Sequence, residues 1–370
     1  MKFPTRAIHV PGTRHDGEIA PSIHLSTTFE HGPANEKIAE YSYVRSGNAN
    51  VDELELRLAS LEGGTGALTY ASGMAATAAL FGSLAPGSEV LIHRDSYFDT
   101  RVLAARLLQP QGISHRIIDL GDLQQFDASL SAATALVWLE TPSNPRLDIL
   151  DIAAIAERTR GSGVKLAVDS TFASPAAQQP LTLGADYVMH SMTKYMGGHS
   201  DVQGGALVFR EDTELADRLR NDRTLTGGVL SPFNAWLIAR GLQTLECRVA
   251  RHSENALALA EMLAAHPAVE RCNYPFLESS PGYAVAKKQM RMGGGMLSFE
   301  LAGGLEAALE VASRVRLFVN ATSLGGVESL IEHRASIEGE HTMAPANLLR
   351  LSVGLEHKDD LLADLETALA

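Results

Sequence analysis

Cysteine is scarce in this chain: Cys247 and Cys272 are the only two among 370 residues, and they lack metal-ligand spacing. A chain of this length buries enough apolar surface to need no disulfide, so a reduced, cytoplasmic setting is expected. Aromatic residues make up only 6%, and 31 basic residues are outnumbered by 44 acidic ones, for a formal net charge of −13. General affinity for nucleic acid or anionic membranes needs a basic footprint, so neither partner is expected. The opening segment MKFPTRAIHVPGTRHDGE has no apolar signal core. Residues 63–88 carry no charge, but Gly63, Gly64, Gly66, Gly73, Gly82 and Pro86 interrupt them. A membrane helix needs ~20 predominantly apolar residues, so this stretch reads as a buried turn and helix. Internal repeats and low-complexity linkers are also missing.

Hydrophobic residues make up 45% of the chain, ample for a large core. At ~100–200 residues per domain, two domains are expected. Short apolar runs at 90–92, 135–139, 164–168, 186–189 and 206–209 are separated in several places by helical patterns such as 151–160. Buried runs alternating with helices imply βαβ units and a mostly parallel sheet. A long helical region, 232–266, has one possible interruption at Gly241. Strands at 269–274, 296–301 and 348–353 and helices at 305–314 and 358–369 follow it. The sequence thus reads as an α/β protein with an extended N-terminal arm (1–48), a large domain (49–235) and a smaller α+β domain (236–370).

The densest group of reactive residues is 190–201, His-Ser-Met-Thr-Lys-Tyr-Met-Gly-Gly-His-Ser-Asp. It follows the expected strand at 186–189, at the carboxyl end where open α/β sheets place ligands. Lys194 there can form an imine with an aldehyde cofactor, and the hydroxyls of Ser191 and Thr193 can bind a phosphate. Alone, the segment reads better as a polar loop with an exposed lysine. Asp169 ends an upstream apolar strand, where a carboxylate can pair with a pyridinium nitrogen, although a turn or N-cap aspartate fits too. Ser72-Gly73-Met74 opens an Ala-rich helix whose first N–H groups suit a phosphate dianion, or merely an ordinary cap.

Taken together, Tyr43-Val44-Arg45, Ser72-Gly73-Met74 and the segments 139–145, 169–173, 191–201, 240–245, 323–330 and 349–354 resemble the cysteine/methionine-metabolism family of pyridoxal-phosphate enzymes. That family includes cystathionine γ-synthase, cystathionine β- and γ-lyases and methionine γ-lyase. The resemblance runs along nearly the whole chain. It implies the fold-type I transferase architecture, pyridoxal 5'-phosphate as cofactor and a small amino-acid substrate.

By the same resemblance, Lys194 would hold the cofactor and shuttle protons. Asp169 would face the pyridine nitrogen, and Gly73, Met74, Ser191 and Thr193 would hold the phosphate. Tyr97 would stack on the ring and assist the leaving group. Arg350 would bind the substrate α-carboxylate, a bidentate task suited to guanidinium, although a lone strand arginine is more often an ion-pair residue. Asn144 and Ser323 would orient cofactor and carboxylate. Tyr43 and Arg45 would reach a neighbouring subunit's cofactor, which implies a homodimer sharing its active sites and, by family habit, a tetramer. Glu328 could be catalytic, but a buried carboxylate that satisfies backbone groups is the expected role.

The chain departs from the family pattern at Asn48-Ala49-Asn50, at Tyr97-Phe98-Asp99-Thr100, at Thr322, and across 332–339. All but the first are expected at the substrate's distal end or the entrance. Asp99 beside Tyr97 could bind a distal ammonium or guanidinium, as in cystathionine or canavanine, or be a solvated loop residue. The loop Ser323-Leu324-Gly325-Gly326 is closer to γ-acting members. The expected reaction is therefore γ-elimination or γ-replacement on a γ-substituted amino acid such as cystathionine, methionine, an O-acylhomoserine or a canavanine-like compound. A cystathionine β-lyase giving pyruvate is the alternative. A non-catalytic protein retaining the fold, or a hydrolase with a metal on His190 and His199, are more distant readings.

Overall fold

The computed structural model describes residues 1–10, 17–211, 214–339 and 342–370. The apolar runs form the expected central strands: β2 (Glu89–His93), β4 (Thr134–Glu140), β5 (Lys165–Asp169), β6 (Tyr187–Ser191) and β7 (Gly205–Phe209). Four strands lie outside the expected set: β1 (Gly66–Tyr70) and β3 (Ser114–Ile118) in this sheet, and Val319–Asn320 and Leu330–His333 in the second. The sheet order is β1-β7-β6-β5-β4-β2-β3; β3, β2, β4, β5 and β6 run parallel, while β7 is antiparallel to both neighbours. β2, β7 and nearly all of β4, β5 and β6 are buried, as a parallel sheet covered on both faces requires. β3 escapes the run-based reading because it is an edge strand, half to fully exposed along its length.

The uncharged stretch 63–88 folds as β1 followed by the helix Gly73–Gly82, so a strand replaces part of the expected turn. Among the described residues no helix is long and apolar enough to cross a membrane. The N-terminal arm is not wholly extended: Phe3–Ile8 is a helix whose Phe3 and Ala7 join the large core. Residues 11–16 of that arm lie outside the described set.

A second sheet has the order β10-β11-β12-β9-β8, from β8 (Val269–Asn273), β9 (Met296–Leu301), β10 (Val319–Asn320), β11 (Leu330–His333) and β12 (Leu348–Ser352). The helices Gly304–Arg314 and Lys358–Leu369 pack on it around Leu297, Phe299, Leu349, Leu351 and Leu365. The helical region 232–266 breaks after Leu242, between Pro232–Leu242 and Leu245–Ala265, and not at Gly241 itself. Gly241 has another duty: a Cβ there would lie 2.4 Å from the Met196 carbonyl oxygen. The helix Leu245–Ala265 gives Leu245 and Val249 to the first core and Leu259 and Leu263 to the second. One helix thereby fixes the two cores against each other.

Gly205, the first residue of β7, lets the helix Gly73–Gly82 start directly against the sheet. A Cβ at Gly205 would lie 2.0 Å from the Ser72 carbonyl oxygen and 2.6 Å from the Gly73 nitrogen. Both are backbone atoms, so the turn itself would have to move. Gly205→Ala is therefore expected to cost about 1–3 kcal/mol of stability, as overpacking of a tight site does. Denaturant midpoints of the variant and parent proteins measure it, and an unchanged midpoint would contradict this packing.

Candidate active site

Three adjacent parallel strands deliver side chains from their carboxyl ends to one cavity. β4 ends on Glu140, β5 on Asp169 and β6 on Ser191, with Glu140 and Asp169 directly opposite in register. The Ser191 N–H donates to Thr171 Oγ1 at 2.9 Å, and the Thr171 N–H donates to Asp169 Oδ1 at 3.0 Å. Ser72 caps the helix Gly73–Gly82 by accepting from the Ala75 N–H at 3.1 Å. That leaves the Gly73 and Met74 N–H groups at the cavity wall.

The cavity encloses about 400 Å³. It gathers Gly73, Met74, Tyr97, Asp99, Asn144, Asp169, Ser191, Thr193, Lys194, Thr322, Ser323 and Arg350, with Thr322 at its exposed rim. Tyr43 and Arg45 do not reach it in this chain. Tyr43 is 46% exposed, and Arg45 donates to the Thr224 carbonyl at 2.7 Å.

Lys194 Nζ donates to Ser323 Oγ at 2.8 Å. Burial, with the Arg350 charge nearby, pulls its ammonium down to about 8 from an ordinary 10.5. Ser323 sits at φ +86°, a region that non-glycine residues enter only when neighbours enforce it. Two contacts enforce it here: Arg350 Nη2 donates to the Ser323 carbonyl at 3.2 Å, and the Gly325 N–H to Ser352 Oγ at 2.8 Å.

Arg350 is fully enclosed. It donates through Nη1 to Asn144 Oδ1 at 2.9 Å and through Nη2 to Glu332, and Phe172 lies 6.0 Å beneath it. Burial lowers its pKa to about 10. Tyr97 is tethered twice: its N–H donates to Glu140 Oε2 at 2.6 Å and its hydroxyl to Asp99 Oδ2 at 2.7 Å. Burial, then the Asp99 bond, raises the phenol above its usual range. Burial likewise raises Asp169, and it raises Glu140 further because the Asp169 carboxylate lies beside it.

Glu140, Arg334 and Glu338 also line this cavity and were not assigned as site residues from sequence. Glu140 ends an apolar strand as Asp169 does, so the same positional argument would have found it. Arg334 and Glu338 lie in the departing segment 332–339, which flagged the place but not the partners. Glu328 departs from expectation: it is half-exposed and accepts from the Ser200 hydroxyl. The backbone-satisfying role belongs to Glu356, also part-exposed, which accepts from Ser329 N and Oγ, both at 2.8 Å. His190 is a core residue, donating to Glu62 Oε1 at 2.6 Å, while the exposed His199 donates to the Gly197 carbonyl at 2.9 Å. Among the described residues no histidine, cysteine and carboxylate cluster suits a metal.

A family model for the Cys/Met metabolism PLP-dependent enzymes matches residues 4–370. The chain belongs to that family. It is 46% identical over 374 residues to a cystathionine gamma-synthase of Mycobacterium tuberculosis, covering 99% of this chain and 96% of that one. It is 41% identical to an L-methionine gamma-lyase of Pseudomonas putida and 40% identical to a cystathionine beta-lyase of Coxiella burnetii, each alignment covering 99% of this chain and 97% of the relative. The crystal structure of metB from Corynebacterium glutamicum superposes with a TM-score of 0.96 at 43% identity, covering 100% of this chain and 98% of that one. The fold is therefore that of the fold-type I enzymes, and the protein is a pyridoxal-phosphate-dependent enzyme.

The cavity's own donors fit that cofactor. Helix-start N–H groups with the Ser191 and Thr193 hydroxyls suit its phosphate, a buried Asp169 suits its ring nitrogen, and an amine near pH 8 suits its aldehyde. When bound, the group supplies an electron sink that lets a proton leave the substrate α-carbon.

The lowered Lys194 pKa gives a direct expectation. In protein stripped of cofactor, acylation of Lys194 followed by mass spectrometry should rise with pH and reach half its maximum near 8. The neutral amine is the nucleophile, so a depressed pKa moves reactivity to lower pH. A midpoint near the ordinary 10.5 would contradict the enclosure described.

Proposed function

We propose that this enzyme catalyses γ-elimination or γ-replacement on a γ-substituted L-amino acid. The observation that carries the reading is the Lys194–Ser323 pair. A base that must serve first Cα and then Cβ needs to be near neutral and loosely held, because positioning is what lets one group serve two carbons. Lys194 meets both needs, since it is held by one neutral hydroxyl and its pKa is drawn to about 8. The relatives named cystathionine gamma-synthase and L-methionine gamma-lyase support the same reading.

In this proposal Asp169 keeps the ring nitrogen protonated, and Gly73, Met74, Ser191 and Thr193 bind the phosphate. Tyr97 covers the ring and carries a proton to the departing group; Glu140 fixes its backbone and Asp99 its hydroxyl. Arg350 binds the α-carboxylate with Asn144 and Ser323 as its aligners, and Thr322 borders the entrance. Tyr43 and Arg45 serve the cofactor of a second subunit in a homodimer that pairs into a tetramer. Their exposure supports this, as do Ile19 at 99% and Leu25 at 65% on the same arm. The two free cysteines suit a reducing, cytoplasmic setting.

The product assay is decisive for the reaction. Cystathionine supplied to cofactor-loaded enzyme should yield 2-oxobutyrate, or a replacement product when a thiol accompanies an O-acylhomoserine; prevailing pyruvate would make it a β-lyase. Arg350→Lys should raise KM by about tenfold or more while affecting kcat less, because one bidentate charged contact is lost. A kcat loss at unchanged KM would remove Arg350 from carboxylate binding.

A further inference from the structure

The cavity wall beyond Arg350 carries an uneven set of charges. Arg334 Nη1 lies 3.2 Å from both oxygens of Glu332, and its Nη2 donates to Glu338 Oε1 at 2.7 Å. Glu338 Oε2 accepts in turn from Thr342 Oγ1 at 3.0 Å, so both of its oxygens are occupied. Arg350 shares Glu332. Two guanidiniums and two carboxylates therefore cancel, all of them buried. A substrate α-carboxylate on Arg350 tips that group to one negative charge.

Asp99 lies outside this balance. Among the described residues its one polar partner is the neutral Tyr97 hydroxyl, which donates to Oδ2 and leaves Oδ1 for a ligand. Among the described residues no cationic nitrogen lies within the 4.0 Å of an ion pair from it. Of the four carboxyl groups on the cavity wall, Glu338 is ion-paired, and Asp169 and Glu140 lie at the strand ends. Asp99 is the one carboxylate on the wall formed by Tyr97 and Phe98 that lacks a counter-ion.

We propose that the physiological substrate carries a cationic group, a guanidinium or an ammonium, on its γ-leaving portion, and that Asp99 binds it. This rests on the γ-reading and narrows its substrate class. A distal cation neutralises Asp99 and meets the Phe98 ring, to which a flat guanidinium is attracted. A distal anion would meet Asp99 unscreened, while Arg334 is already flanked by two carboxylates. A neutral group would leave Asp99 to solvent and gain only contact area.

Unreactive amino acids with the same α-carbon head separate binding from chemistry. Dissociation constants of the holoenzyme are measured by calorimetry for arginine (cationic tail), norleucine (neutral) and 2-aminoadipate (anionic). Arginine should bind roughly ten- to a hundredfold more tightly than norleucine, and 2-aminoadipate more weakly than either, as one charge-assisted contact implies. In Asp99→Asn the amide oxygen still accepts from Tyr97, but the charge is gone. The arginine preference should collapse to within about threefold while norleucine affinity holds. Equal binding of the three tails by the parent enzyme, or a preference that survives in Asp99→Asn, would overturn the proposal. So would a parallel loss for all three ligands, which would leave Asp99 as a support for Tyr97. Pyruvate from cystathionine would defeat the γ-reading without altering this binding order, so the two failures are distinguishable.

Discussion

Arg350 is a guanidinium buried where the two sheets meet, and the rest of the site is arranged around the cost of burying it. A charge removed from water is tolerated only when opposed and fully hydrogen-bonded. Its partners come from three places: Asn144 after β4 of the large sheet, the Ser323 carbonyl in the loop after β10, and Glu332 directly across from it on β11. Because Glu332 also holds Arg334, and Arg334 holds Glu338, the small sheet presents a neutral but highly polar wall. Removing Glu332 alone would leave buried Arg350 with no carboxylate and Arg334 with Glu338 as its only one. The Arg350–Asn144 bond is the one that ties this wall to the large sheet.

The same guanidinium acts on Lys194. Its charge and the enclosure together draw Lys194 to about 8, and its bond to the Ser323 carbonyl helps hold that residue in a left-handed conformation with Oγ on the lysine. Under the proposed role of Arg350, carboxylate recognition, lysine reactivity and the contact between the two sheets are one electrostatic arrangement. At the other end of the cavity the large sheet does comparable work with its strand ends, which place Glu140 and Asp169 side by side and Ser191 against the helix-start N–H groups.

Much of this was legible in the sequence because parallel strands advertise themselves as apolar runs, and because motif residues sit at strand ends. β2, β4, β5, β6 and β7 all follow from composition alone. β1 was hidden by glycines and threonines in an uncharged stretch, and β3 by the exposure of an edge strand. The helix Phe3–Ile8 is too short to show a period. At the site, Lys194, Asp169 and Arg350 could be picked out by residue type and setting, aided by resemblance. The Arg334 clamp could not, because its meaning depends on Glu332 being taken by two arginines at once. Asp99 was visible as an oddity, whereas its lack of a counter-ion among the described residues is a property of three-dimensional neighbours. Tyr43 and Arg45 stand outside their own chain's cavity, and Arg45 bonds instead to the Thr224 carbonyl.

The central claim is that Lys194 is the residue that holds the cofactor. Borohydride reduction of the loaded enzyme makes that attachment permanent, and peptide mass spectrometry then locates it. The account predicts a single pyridoxyl-modified peptide containing Lys194, and its loss in Lys194→Ala. A modification on any other lysine of the native enzyme would contradict the site as described.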